Sequence, residues 1–217
     1  AYYFDLKDVT CWFNQNLRIS YIPGDVYFTP QYPSIVKSRL LKEDNAYSVV
    51  LKLDKLRHFI FLNDPVPFSQ KRDQAIFLCD CGVVGRNEGY PDAWMTPKKT
   101  IREHLDYKFI MALEGNDVAS NLKWVMSSNS IAVMTRPTCE TWFMEGKLIP
   151  DYHYIEIKDD LSNLEEKLTY YINHPAEAEL IIRHAHEYVA QFFDTERERL
   201  ISLLVMDKYF QMTGQKQ

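Results

Sequence analysis

The stretch Tyr107-Lys-Phe-Ile-Met-Ala-Leu113, followed by Glu114-Gly-Asn-Asp-Val-Ala-Ser-Asn-Leu-Lys123, constrains this chain more than any other. A β-like apolar run that turns through a glycine into a helical pattern is one step of a parallel α/β sheet. The same step makes an anion site. The first N–H groups of a helix point outward together, the macrodipole places partial positive charge there, and a glycine lets a ligand's phosphates come close. By spacing alone the signal is weak, because many βα units without a ligand also carry a glycine at the strand end.

Downstream the pattern continues. It predicts a strand over 107–113, a helix over 118–128, a strand over 130–135, a helical turn over 140–145 and a strand over 152–157. Alternation of this kind is a doubly wound parallel sheet, whose ligands sit at the carboxyl ends of the strands. Helix then follows helix. Asp160 or Ser162 can cap a first one bearing Leu164, Leu168, Tyr171 and Ile172 on its apolar face. Pro175 opens a second, running over about 176–193, and a third spans 195–212 before Gly214, with Leu200, Leu203, Leu204 and Tyr209 inward.

The first part is less regular. Its best strands are 47–53 and 59–62, with loops around Pro23, Pro30, Pro33, Pro65 and Pro67.

Charge and composition remove several classes. A formal net charge of −5 argues against nucleic acid as a partner. No run of about 18 apolar residues exists to span a bilayer. The residues Ala1–Phe4 show neither a basic leader nor a cleavage site, although contact with a membrane surface is compatible with the sequence. Cys11, Cys79, Cys81 and Cys139 form no Cys-x-x-Cys pair and read as reduced thiols of a cytoplasmic protein, one that can sit peripherally on the inner membrane. Cys79-Asp-Cys81 lacks a second ligand pair with zinc spacing. His184 and His186, two apart on a helix, do not face each other, so no metal is expected there.

The ordered set from Glu114 to Leu161 resembles glycosyltransferase family 90, the Cap10-like transferases, and within it the bacterial lipopolysaccharide-core branch. The residues that carry this likeness are the Gly115 turn, Ser127-Ser-Asn-Ser130, Ile131-Ala-Val-Met134, Glu140-Thr-Trp-Phe143, His153-Tyr-Ile-Glu-Ile157 and Lys158-Asp-Asp-Leu-Ser162. The resemblance implies a GT-B-like fold of two Rossmann-like domains facing across a cleft. Residues 1–77 would be an incomplete acceptor-side domain, and residues 78–217 the nucleotide-sugar domain with its closing helices. It also implies an Arg-Gly motif and polar loop after the strand matching Ala75-Ile-Phe77. No such loop stands between Phe77 and Leu78, which reads either as a natural deletion or, preferably, as a stretch of chain missing at that point.

The activity implied is inverting, metal-independent transfer of a hexose from a nucleotide diphosphate sugar, in the UDP form, to a saccharide of the lipopolysaccharide core. No cofactor beyond the donor is implied. Gly115, Asn116, Asp117, Ala119, Ser120 and Asn121 would cradle the diphosphate, and Lys123, one turn on, would reach the leaving phosphate unless it is an ordinary solvated lysine. Many relatives have Arg where Asn121 stands, which moves weight onto Lys123. Glu140 occupies the place of a ribose-binding carboxylate, or is a helix-start Glu. Asp25, in Pro23-Gly-Asp-Val26, matches the region of the family's general base, or is a turn Asp. Lys37, Arg39 and Arg57 would offer cations to a phosphorylated acceptor, or be salt-bridged surface. Two other readings share these residues: a protein O-glycosyltransferase, and a non-catalytic sugar-nucleotide-binding protein.

Overall fold

A computed structural model describes residues 2–41, 44–77 and 99–216. It opens on a helix the sequence pattern did not announce, α1 (Tyr2–Thr10), whose Val9 is buried and whose Tyr2 and Leu6 pack on the core. Short elements follow: β1 (Ser34–Val36), β2 (Ser38–Leu40), β3 (Ser48–Val50) and α2 (Lys55–His58). β1 and β3 pair in parallel. The strand predicted over 59–62 belongs to no sheet; the chain leaves α2 there as irregular backbone packed against the core.

β4 (Arg72–Phe77) begins the main sheet. α3 (Ile101–His104) is a single turn held by a capping box in which Thr100 and Glu103 satisfy each other's backbone N–H groups. Then come β5 (Tyr107–Met111), α4 (Leu122–Met126), β6 (Ile131–Met134), β7 (Cys139–Thr141) and β8 (Ile155–Glu156). β4, β5, β6 and β8 lie side by side in that order, all parallel. Alternate residues of these strands enter different cores, as a period of two requires. Ile110, Ala112, Ala132 and Met134 join α4 and Phe210 on one face; Phe109, Met111, Ile131, Val133 and Ile155 join Tyr171, Ala178 and Ile181 on the other. The sheet is therefore covered on both sides, as an α/β parallel sheet must be.

Three helices close the chain: α5 (Leu164–Asn173), α6 (Pro175–Ala190) and α7 (Thr195–Met212). Leu164, Leu168, Tyr171 and Ile172 do pack inward, and Pro175 does start α6. The cap of α5 is Asn163, whose side chain makes no bond to the helix start and instead accepts from the Lys158 N–H, rather than Asp160 or Ser162. On α7 the inward stripe is Glu198, Ser202, Met206, Tyr209 and Phe210, while Leu200 and Leu204 face solvent. The cause is Glu198, whose carboxylate accepts from Lys52 Nζ at 2.6 Å and Trp142 Nε1 at 2.9 Å and so fixes the rotation of the helix. Among the described residues no helix is long and apolar enough to cross a membrane.

The N-terminal segment is sewn onto the rest. β2 pairs antiparallel with β7, Ser20 N–H donates to the Tyr209 hydroxyl, and Arg18 N–H donates to Gln215. Val9, Ile35, Leu51 and Leu53 share one core with Ile110, Trp124 and Phe210, and β4 stands in the same sheet as β5. The loop expected to be missing after Phe77, like Cys79 and Cys81, lies at residues outside those described.

Candidate active site

β5 delivers its carboxyl end at Met111, and residues 112–121 form the crossing from there to α4, with the Ala112 N–H still donating to the Val133 carbonyl of β6. Asn121 turns the segment back on itself by donating its Nδ2 to the Met111 carbonyl at 2.9 Å. The expected cradle is only partly as drawn. α4 has five residues, far shorter than the helix predicted over 118–128, so its dipole is small. The Gly115 N–H is taken by the Asp117 carbonyl at 3.1 Å. Gly115 and Asn116 are exposed and Ser120 half-buried, whereas Asp117, Ala119 and Asn121 are buried.

Asp117 turns its side chain toward the N-terminal segment. Its Oδ2 lies 2.7 Å from Lys37 Nζ and accepts from the Ser38 hydroxyl, also at 2.7 Å. Lys37, between β1 and β2, is 1% exposed. Its ammonium donates to Asp25 Oδ1 at 2.7 Å as well, with His58 Nε2 a longer contact at 3.5 Å. Two candidates far apart in sequence, Asp25 and the 115–121 segment, thus meet at one lysine that was expected on the surface. Burial raises the affinity of the Asp25 carboxyl for its proton, but bonds and charge from Lys37, the charge of Arg57 and a bond to Asn116 outweigh it and leave the group below its ordinary range. Burial likewise opposes the Lys37 charge, yet the bonds to Asp117 and Asp25 raise its pKa above the usual value. His58 is held neutral, its pKa lowered to about 2 by burial and by the charges of Lys123, Lys37 and Arg57.

Two candidates are placed differently from their sequence reading. Lys123 is fully buried and ion-paired with Glu145, 5.4 Å from the Phe143 ring centroid. A solvent-facing ammonium that reaches a phosphate is not what α4 presents, because its residues from Leu122 to Met126 are all buried. Glu145 also accepts from the Thr141 N–H at 2.6 Å and from its hydroxyl. Glu140 lies in β7, not at a helix start. The helical turn expected over 140–145 is replaced by this strand and a 3₁₀ turn at Glu145–Lys147, entered through Met144 at φ 57. The ladder partner of Glu140 is Arg39, which engages Oε1 from Nε at 2.8 Å and Nη2 at 2.6 Å. Glu114 clamps the next crossing, accepting from the Thr138 and Cys139 N–H groups.

Beside the lysine cluster opens a cavity of about 390 Å³ lined by Asp54, Leu56, Arg57, Ile60, Ile101, Ser120, Asn121 and Trp124. Its size suits a small ligand, and it combines an apolar wall with a few polar groups. Arg57 is an exposed cation in that lining, which it shares with Ser120 and Asn121. Sequence reasoning named Arg57 and Lys37 only as acceptor-side cations and missed His58, Ser38 and Glu145. The one visible signal was a lysine directly after the apolar Ile35-Val36.

Comparison with known proteins decides the family. The family model described as Glycosyl transferase family 90 matches residues 84–214. The chain is 38% identical, over 233 aligned residues, to the O-glucosyltransferase LpsA of Dichelobacter nodosus, an alignment covering 98% of this chain and 73% of that protein. The chain belongs to glycosyl transferase family 90. The alignment is longer than the 217 residues of this family 90 protein, so the relative has positions without a counterpart here. A glycosyltransferase of this family needs a sugar donor and an acceptor, and the strand-end segment 112–121 with the neighbouring cavity lies where a parallel sheet presents its ligands.

Proposed function

We propose that this family 90 enzyme transfers a hexose, glucose by analogy with the LpsA relative, from a UDP-sugar to a hydroxyl of a lipopolysaccharide-core saccharide, inverting the anomeric carbon without a resident metal. The observation that carries the reading is the meeting of Asp25 with the 115–121 segment at Lys37, beside the cavity that holds Arg57, Ser120 and Asn121. Asp25 takes the proton of the acceptor hydroxyl while its oxygen bonds to the anomeric carbon; the bond from that carbon to UDP breaks and the nucleotide leaves with the electron pair. The diphosphate lies against Arg57, the Ser120 hydroxyl and the backbone of 119–121, a role in which Arg57 replaces the Lys123 of the sequence reading. Glu140, oriented by Arg39 through one oxygen, offers the other to the ribose. The N-terminal segment supplies the base for the acceptor and, through Arg57, one cation to the donor, whose other contacts come from the parallel-sheet part, close to the division of a GT-B enzyme.

The test is incubation of the purified protein with a panel of nucleotide sugars and core oligosaccharide, with mass detection of released nucleotide and extended acceptor, alongside thermal melts with UDP. Release of UDP with a hexose added to the acceptor is expected. Absence of both turnover and UDP-dependent stabilisation would remove the reading.

A further inference from the structure

Lys37 is a buried charge beside the proposed base that this reaction scheme leaves without a task. It has three donor protons and three polar side-chain atoms within 3.5 Å: Asp25 at 2.7 Å, Asp117 at 2.7 Å and His58 Nε2 at 3.5 Å. The two carboxylate oxygens, each within hydrogen-bond reach of the same nitrogen, lie within twice that distance of one another. Without a cation between them, two such carboxylates disfavour each other's ionisation. The lysine also joins two parts of the fold, because Asp25 belongs to the N-terminal segment and Asp117 to the crossing after β5.

We propose that Lys37 is a positioning residue that clamps the Asp25 carboxylate against Asp117 and so sets the lowest pH at which Asp25 can accept a proton from an acceptor hydroxyl. The inference rests on the base role proposed above for Asp25. The groups that face this carboxylate are known from each packed element: Lys37 itself, Arg57 of α2, Asn116 of the crossing segment and Tyr2 of α1. Lys37 in turn faces Asp25, Asp117, His58 and Tyr2. Arg57 and the bond from Asn116 are left to favour the charged form of Asp25 once the lysine is gone, while Asp117 then opposes it. A depressed Asp25 pKa in the native protein agrees with this arrangement.

The experiment follows the Asp25 carboxyl by carbon NMR across pH, assigned with Asp25→Asn, in parallel with the acid limb of kcat/KM for the UDP-sugar. An opposite charge at this range lowers an Asp pKa by about 1–3 units. Lys37→Met is therefore expected to raise both the titration and the acid limb by about one pH unit or more. Adding Asp117→Asn to Lys37→Met should bring both part of the way back, because the competing carboxylate is removed. A lysine with a merely structural role would give a double variant no better than the single. Should Lys37→Met fail to fold, the Lys37→Met/Asp117→Asn protein is compared with Asp117→Asn, which differs only in the lysine, and a higher Asp25 titration in the former supports the clamp. An Asp25 titration unmoved by loss of Lys37 overturns it. Native turnover in Asp25→Asn would instead sink the base assignment, so the two failures are told apart.

Discussion

Replacing Lys123 by Met separates the two readings of that residue. The ammonium is fully buried against Glu145, itself 1% exposed, and aromatic faces of Phe59 and Phe143 stand 5.9 and 5.4 Å away. Removing one partner of a buried ion pair leaves an uncompensated charge and costs roughly 3–5 kcal/mol. For a chain of this size about 1 kcal/mol moves the midpoint by ~2–4 °C, so Lys123→Met is expected to melt roughly 6–20 °C below the parent. Glu145→Gln on the Lys123→Met background should recover part of that loss, because the amide oxygen can still accept the Thr141 N–H that now reaches Glu145 at 2.6 Å. Calorimetry of the parent, Lys123→Met and the double variant, with and without UDP, measures all of this. If Lys123→Met melts within about 1 °C of the parent, well inside the range of surface substitutions, and loses its UDP-dependent stabilisation, the ammonium faces the ligand and the buried pair is wrong.

Three further outcomes are expected. Arg57→Gln should shrink the stabilisation given by saturating UDP, about 2.7 kcal/mol at a hundredfold excess over Kd and read as a rise in Tm; an undiminished rise would remove Arg57 from the diphosphate site. Transfer activity should be unchanged by chelator, and a loss restored by manganese or magnesium would contradict the metal-free scheme. His58 binds its proton only on unfolding, since its folded pKa is lowered from 6.5 to about 2. Its contribution is therefore complete above about pH 6.5 and declines as pH falls from there, by at most about 1.4 kcal/mol per unit; urea midpoints at pH 7.5 and 5 should differ more in the parent than in His58→Gln, and equal differences would assign the acid loss to another group.

The parallel strands were legible because their residues alternate between two cores, so that Phe109 and Ile110 announce a strand whatever surrounds them. α7 was legible in extent, with the Asp194 side chain accepting the Arg197 N–H at its start and Gly214 at its end, but not in rotation. Its leucines suggested a face that the buried Glu198 overruled through partners 146 and 56 residues away. The same limit governed the site. Asp25, Asn116 and Asp117 could be named from motif and likeness, yet Asp25 and Asp117 are joined by Lys37, and its place after Ile35-Val36 is too short a pattern to tell a buried lysine from a solvated one. Lys123 failed for that reason, since Glu145 lies 22 residues on in the segment read as a helical turn.

The pairing of Ser20 with Tyr209 and of Arg18 with Gln215, with separations of 189 and 197 residues, has a consequence for the making of the protein. During synthesis the segment that carries Asp25 and Lys37 emerges long before α7 exists to receive it. Ile35, Leu51 and Leu53, fully buried in the finished fold, have their covering complete only when the last residues of their core, Tyr209 and Phe210 of α7, have emerged. At ~5–20 residues added per second that wait lasts roughly ten to forty seconds, a window in which a nascent chain with bare apolar surface is prone to association. Good yields of this enzyme are therefore expected to depend on holding chaperones and slow, cool expression, and fragments ending before α7 should be recovered chiefly as aggregates.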